Sequence, residues 1–281
     1  MGIMMPPVLE GSAMKQKLEA ATNYMERLWD LGQQHLAAGR YVAARDELER
    51  AEGMAWRQQN AGALARIYLP LLEARRQIRQ NAADGVLVIT PGQEGNSRRM
   101  MEGFREETAG TLICGGAGAE KGPGAVPYAA RQRQSCLEAL VLVEHRGERR
   151  LASMTDPTFA GGLPVAVTSD PKELVDPVGV LEFKSPKGKR RDAASTVNKV
   201  PLPGAGRYAP GHPLHDLARE SLLVAWEALA LKWQARHPVR VTVDAGWEEL
   251  AWLRLALRVD PACEPIMMRI ISLAENLQRA G

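Results

Sequence analysis

The stretch LWDLGQQHLAAGRYVAARDELERA, residues 28–51, decides the N-terminal part of the fold. Apolar and small residues recur there at spacings of three and four on both sides of Gly39, which places them on one face of each of two helices. Gly39 can adopt a positive φ just beyond a helix end, and so short a connection requires the two helices to pack antiparallel. The small residues Gly32 and Ala44 let the two backbones approach closely.

A third helix follows the pair. Its apolar register is formed by Leu64, Ile67, Tyr68, Leu71 and Ile78. These positions again recur at helical spacing, so one face of the helix is predicted to be buried. Pro70 lies within the pattern and is expected either to kink the helix or to mark its true start.

The hairpin resembles a single tetratricopeptide repeat, a helix–turn–helix unit of about 34 residues. The resemblance covers about residues 25–58 and rests on Leu28, Leu31, Gly32, Gly39, Tyr41, Ala44, Leu48 and Ala51. The third helix is no second copy, because Tyr68 stands where the repeat has a small Gly, and it is predicted to be a capping helix. Members of the family bind peptides or proteins on their concave helical surface, and the resemblance implies that role here.

A lone hairpin of this kind buries too little apolar surface to offset the entropy of ordering it, and repeat arrays need about three units for stability. We therefore expect the hairpin to dock on the rest of the chain, on a second copy of the protein, or on a partner.

The middle of the chain is predicted to be α/β. Short apolar strands are expected at 86–90, 111–114 and 139–144, with helical patterns between them, and further strands at 164–168 and 178–183. The alternation of strand and helix predicts a mainly parallel sheet, and a hairpin that returns through 149–154 makes it mixed. The expected fold class is therefore α/β with a mixed, mainly parallel sheet, flanked by N-terminal and C-terminal α-helical segments.

The sequence predicts five regions along the chain. They are a tail at 1–13, the hairpin and capping helix at 14–82, the α/β domain at 84–184, a basic Pro- and Gly-rich linker or loop at 185–213, and a helical segment at 214–281. The linker is predicted from five Pro and four Gly in Ser185–Pro213, a fraction typical of flexible segments.

A ligand site is predicted where loops follow the strands, because such sheets bind ligands beyond the carboxyl ends of their strands. The candidate ligand-binding residues are Thr90, Asn96, Ser97, Gly115, Gly116, Gly118, Ser169 and Asp170. The backbone N–H groups of the glycine-rich loop at 115–124 could hold a phosphate or a carboxylate. The chain lacks a complete phosphate-binding or dinucleotide-binding motif, so the cofactor stays unknown.

No catalytic residue and no metal site is predicted. The chain lacks a Gly-x-Ser-x-Gly sequence and any cysteine pair at metal-binding spacing. His212 and His215, with Asp216, form the closest histidine pair. Because Pro213 keeps that segment extended, we predict an exposed loop that leads into a helix.

A basic cluster lies at the start of the predicted linker. It consists of Lys184, Lys187, Lys189, Arg190 and Arg191. Nucleic-acid binding through this cluster is one alternative, but no aromatic residue lies among these positions to stack on bases. The whole chain carries 36 basic and 33 acidic residues, a net charge of only +3. The sequence favours a solvated loop here.

Composition excludes several classes of protein. An apolar fraction of 45% argues against disorder of the whole chain, and three cysteines in 281 residues argue against a disulfide scaffold. The longest apolar run, Ser221–Leu231, is interrupted by Glu227, so we expect no membrane association. With no secretory pattern in the first seven residues, a reducing cytoplasm is expected.

The sequence favours two functions over nucleic-acid binding. The first is a non-catalytic protein–protein interaction or scaffold protein, whose partner is another protein or a second copy of itself. The alternative is an α/β enzyme or small-ligand-binding protein with its site at the carboxyl ends of the strands.

Overall fold

A computed structural model describes most of the helical parts of the chain and the strands of one sheet. The described residues are 9–91, 108–115, 134–145, 148–153, 163–167, 179–184, 197–201, 206–213, 215–216, 219, 231 and 246–280. Among the described residues, the helices with defined bounds are α1 (Leu9–Ala37), α2 (Tyr41–Arg57), α3 (Ala61–Asp84), α4 (Gly246–Val259) and α5 (Glu264–Ala280). The strands are β1 (Val86–Pro91), β2 (Ala109–Gly115), β3 (Cys136–His145), β4 (Glu148–Ser153), β5 (Leu163–Val167), β6 (Gly179–Lys184), β7 (Val197–Pro201) and β8 (Gly206–Tyr208).

The predicted helical hairpin is present as α1 and α2. Gly39 ends the connection with φ of +70°, the left-handed conformation that glycine adopts without strain. A Cβ atom added to Gly32 would lie 2.5 Å from Cγ of Leu48. The two backbones therefore approach as closely as the small residues allow.

Helix α3 is continuous through Pro70. It begins at Ala61, because the side chain of Asn60 accepts a hydrogen bond from the N–H of Ala63 at 2.9 Å and caps the first turn. Pro70 therefore does not mark the start of the helix. It lies nine residues inside and is buried, where it removes one helical hydrogen bond.

The predicted fold class is confirmed. Strands β1, β2 and β3 are parallel, and β8 pairs antiparallel with β1. These four strands form a mixed, mainly parallel sheet that lies between the N-terminal and C-terminal helices along the chain. The predicted hairpin is also present, since β4 returns antiparallel to β3.

The predicted strands at 164–168 and 178–183 are present as β5 and β6, and the sheet has two further strands, β7 and β8, that were not expected. Its full strand order is β7-β6-β5-β4-β3-β2-β1-β8, and the pairs from β4 to β7 are all antiparallel. Strands β7 and β8 both lie within 185–213, the segment predicted to be a linker or loop. Both are edge strands, and an edge position tolerates the Pro and Gly residues that suggested a linker.

One hydrophobic core joins the helices to the sheet. Its buried members include Leu64 and Leu71 of α3, Ile113 of β2, Leu253 of α4 and Ile270 of α5. The hairpin therefore docks on the rest of its own chain, which was one of the three expected solutions. In the part of the chain that the structure describes, no helix has the length and apolar character needed to cross a membrane.

Candidate functional site

Helix α3 buries the face predicted from the sequence and exposes the opposite side. The exposed residues along that side are Arg66, Leu69, Glu73 and Arg76. Their spacing of three and four positions places them in one stripe on the helix. Leu69, in the middle of the stripe, is 59% exposed.

Arg66 connects this stripe to α1. Its guanidinium lies over the ring of Trp29, with Cζ 5.6 Å from the ring centroid, and its Nη2 donates a hydrogen bond to Oε1 of Glu26. A cation–π contact at an exposed site contributes about 0.5–1 kcal/mol. The indole Nε1 of Trp29 is buried and finds no hydrogen-bond partner among the described residues.

Helix α5 lies antiparallel to α3 on the other side of the stripe. Arg76 Nη1 donates a hydrogen bond to Oε2 of Glu264 at 2.9 Å, while Gly62 lies against the side chain of Gln278. A groove of about 460 Å³ lies at the Gly62 end, and its walls are Asn60, Gly62, Ala63, Ala65, Arg66, Glu275 and Gln278.

Met268 of α5 lies between the two ends of this contact. Met268 lies four residues, about one turn, after Glu264 and therefore on the same side of α5. Because α5 is antiparallel to α3 and Glu264 contacts Arg76, Met268 comes level with Leu72, about three residues along α3 from Leu69. Met268 is 46% exposed.

We name the surface formed by these residues the three-helix face. It consists of Glu26 and Trp29 of α1, Arg66, Leu69, Glu73 and Arg76 of α3, and Glu264, Met268, Glu275 and Gln278 of α5. Single exposed apolar residues are normal on a protein surface, but grouped ones with a polar rim mark interaction sites. Arginine and tryptophan are also the residues that contribute most often to binding energy at interfaces.

The C-terminal helices are fixed on the hairpin by a polar network on another side of the molecule. Glu52 of α2 accepts hydrogen bonds from Arg254 Nε and Nη2, each at 2.8 Å, and from the Tyr68 hydroxyl at 2.8 Å. The guanidinium of Arg254 lies 5.0 Å from the ring centroid of Trp56. Burial raises the pKa of Tyr68, and the negative charge of Glu52 raises it further. The phenol therefore stays a hydrogen-bond donor.

A second charged cluster joins α3 to the turn before α5. Arg79 forms an ion pair with Asp260, and both side chains are buried. Arg75 donates to the carbonyl of Pro261 at 3.1 Å and pairs with Glu49 at 3.0 Å. These contacts fix the turn against the hairpin, which is a structural role.

The carboxyl edge of the sheet carries two of the residues predicted to bind a ligand. Thr90 pairs with Cys114, and Pro91 with Gly115, so the predicted residues Thr90 and Gly115 lie one position apart along neighbouring strands. Strand β5 points the same way and ends at Val167, four strands from β1. The remaining candidates lie outside the described residues: Asn96, Ser97, Gly116, Gly118, Ser169 and Asp170.

The basic cluster is described at one position. Lys184 is the last residue of β6 and pairs with Val197 of β7. Lys187, Lys189, Arg190 and Arg191 lie outside the described residues. Nucleic-acid binding through this cluster therefore stays a prediction.

The histidine pair differs from the prediction that both members are exposed. His212 is exposed, but His215 is only 3% exposed, with Nε2 2.6 Å from the carbonyl oxygen of Gly85. The prediction is wrong for His215 because its ring packs against the start of β1. Within the described ranges no group of three or more His, Cys, Asp or Glu side chains could hold a metal ion.

The three-helix face was not predicted from the sequence, although a signal was present. Leu69 is apolar but falls outside the register of Leu64, Ile67 and Leu71 that predicts the buried side of α3. An apolar residue on the polar side of an amphipathic helix indicates a possible contact with something outside the core.

Comparisons of the chain with known protein families, with curated proteins and with solved structures found no match.

Proposed function

We propose that this protein is a non-catalytic protein–protein interaction or scaffold protein that binds its partner on the three-helix face. The observation that carries the proposal is the exposure of two apolar side chains on that face, Leu69 of α3 and Met268 of α5. Burying such side chains against a partner yields about 1.5–3 kcal/mol each.

The polar rim supports the same proposal. Arg66 is held by its contacts with Glu26 and Trp29, so it loses little side-chain entropy when a partner binds. The charged residues that flank Leu69 have both signs. A partner therefore fits best when it presents an apolar centre between charged residues, as an amphipathic helix does.

The resemblance of residues 25–58 to a tetratricopeptide repeat supports a binding role as well. The hairpin's need for a packing partner is met inside the chain by the sheet and the C-terminal helices. The surface that the core leaves exposed on α1, α3 and α5 therefore remains available for another molecule.

The test is site-specific photo-crosslinking in cells that naturally produce the protein. A photoreactive residue replaces Leu69 in one variant and Leu255 of α4 in the control. Leu255 is a matched control, because it is 47% exposed on a helix and lies outside the three-helix face. We expect one specific adduct from position 69 and none from position 255. Absence of a specific adduct from position 69, or the same adduct from both positions, contradicts the proposal.

The second candidate function is small-ligand binding at the carboxyl edge of the sheet. It is favoured by the paired ends of β1 and β2, because Pro91 lies opposite Gly115 at the carboxyl edge of the sheet. A set of small anions tested by thermal shift separates the two functions. A ligand that raises the Tm of the wild type but not of the Thr90→Ala variant supports this second function.

A further inference from the structure

We propose that the partner of the three-helix face is a second copy of this chain, packed through an antiparallel contact of its α3 helices. This inference rests on the proposed function and names the occupant of the same surface. The order of charges along the exposed stripe of α3 supports this arrangement.

The stripe is self-complementary in one orientation. Arg66 and Glu73 lie on opposite sides of Leu69, at similar distances along the helix. A two-fold axis perpendicular to α3 at Leu69 and Pro70 places Arg66 of one copy opposite Glu73 of the second copy. The reciprocal pair forms by symmetry, as it must in an isologous interface.

The same axis groups the apolar residues. Leu69 of one copy meets Leu69 of the second copy at the centre, and Met268 lies on the adjacent α5, about three residues along α3 from Leu69. Arg76 comes opposite the Gly62 end of α3, where the groove of about 460 Å³ leaves room for a long side chain. The contact therefore has an apolar centre and charged ends, as interfaces usually do.

The alternative orientation is disfavoured by charge. A two-fold axis along α3 would make the helices parallel and would place Arg66 against Arg66 and Glu73 against Glu73 of the second copy. Like charges placed opposite each other across an interface cost several kcal/mol. The distribution of charge thus selects the antiparallel arrangement.

The first experiment is sedimentation velocity of the full chain over a range of concentrations. We expect the wild type to sediment as a dimer and Leu69→Glu to sediment as a monomer, with a Kd raised at least ~10-fold, because the variant places two carboxylates at the centre of the contact. Leu255→Glu is the matched control and should remain a dimer. Circular dichroism checks that both variants keep their helical content.

The second experiment tests the charge pairs without changing the apolar centre. Arg66→Glu and Glu73→Arg each place like charges opposite each other in a homodimer, so each variant alone should be monomeric. Mixed together, they restore both opposite-charge pairs and should form a heterodimer. A mixture that stays monomeric beside a dimeric wild type overturns the antiparallel contact.

The two proposals fail in different ways. If the wild type is monomeric up to roughly 100 μM, a concentration far above the Kd of a specific complex, the second copy is not the partner. An adduct from position 69 that contains a different protein would then keep the proposed function and overturn only this inference. A monomeric wild type without any specific adduct overturns both.

Discussion

Two glycines in the helical hairpin differ in the space around them, and this difference predicts opposite effects of the same substitution. At Gly32 a Cβ atom would lie 2.5 Å from Cγ of the fully buried Leu48. We expect Gly32→Ala to lower the free energy of unfolding by about 1–3 kcal/mol through overpacking.

Gly53 of α2 is the control, because the nearest atom to an added Cβ is Nη1 of Arg57 at 4.0 Å. Gly53→Ala should raise the free energy of unfolding by about 0.5–1 kcal/mol, since alanine loses less backbone entropy in a helix. Urea denaturation of both variants measures the difference. Equal effects at the two positions would contradict the close approach of α1 and α2.

Glu138 of β3 gives the stability of the protein a dependence on pH. Burial raises the pKa of this carboxyl above its usual 4.5, and the positive charge of Arg79 opposes the shift. The folded state therefore holds the proton to higher pH than the unfolded state, so the protonated carboxyl favours folding at acid pH. This contribution is lost as the pH rises above about 4.5.

We therefore expect Glu138→Gln, which keeps a neutral side chain at every pH, to gain stability relative to the wild type as the pH rises from 4 to 7. Urea denaturation at both values measures the gain. A difference between the two proteins that stays constant with pH, or grows toward pH 4, would show that burial does not control this carboxyl.

At the scale of elements, the contact between Glu52 and Arg254 attaches α4 to α2. Arg254 donates two hydrogen bonds to the carboxylate, each at 2.8 Å. A double-mutant cycle with Glu52→Gln and Arg254→Met isolates the interaction, because the glutamine can still accept from Tyr68. We expect a coupling free energy of about 1 kcal/mol. Additive effects in urea denaturation would indicate that α4 is held by apolar packing alone.

At the scale of the whole molecule, the helical hairpin and α3 depend on the rest of the chain. Leu64, Ile67 and Leu71 share one core with residues of the sheet and of the two C-terminal helices. A fragment of residues 1–84 loses those packing partners. Its remaining apolar burial cannot offset the entropic cost of ordering three helices. We expect its thermal unfolding, followed by circular dichroism, to lack a cooperative transition. A cooperative, monomeric fragment would show that α1 to α3 form a domain of their own.

Local sequence determined the elements of this protein and much of its sheet. Helical spacing around Gly39 determined the hairpin, and short β-branched runs determined β1, β2 and β3, because periodicity and turn chemistry act over a few residues. The pair Thr90 and Gly115 was also predictable as a shared edge, since parallel strands end together.

Tertiary structure alone decided which surfaces remain exposed. Leu69 and Met268 lie about two hundred residues apart, and they belong to one surface only because α5 packs antiparallel on α3. The strands β7 and β8 form within a Pro- and Gly-rich segment because edges of an existing sheet accept them. In each case the deciding contact joins residues that are distant in sequence. The burial that stabilises the contact therefore leaves no pattern in the local sequence.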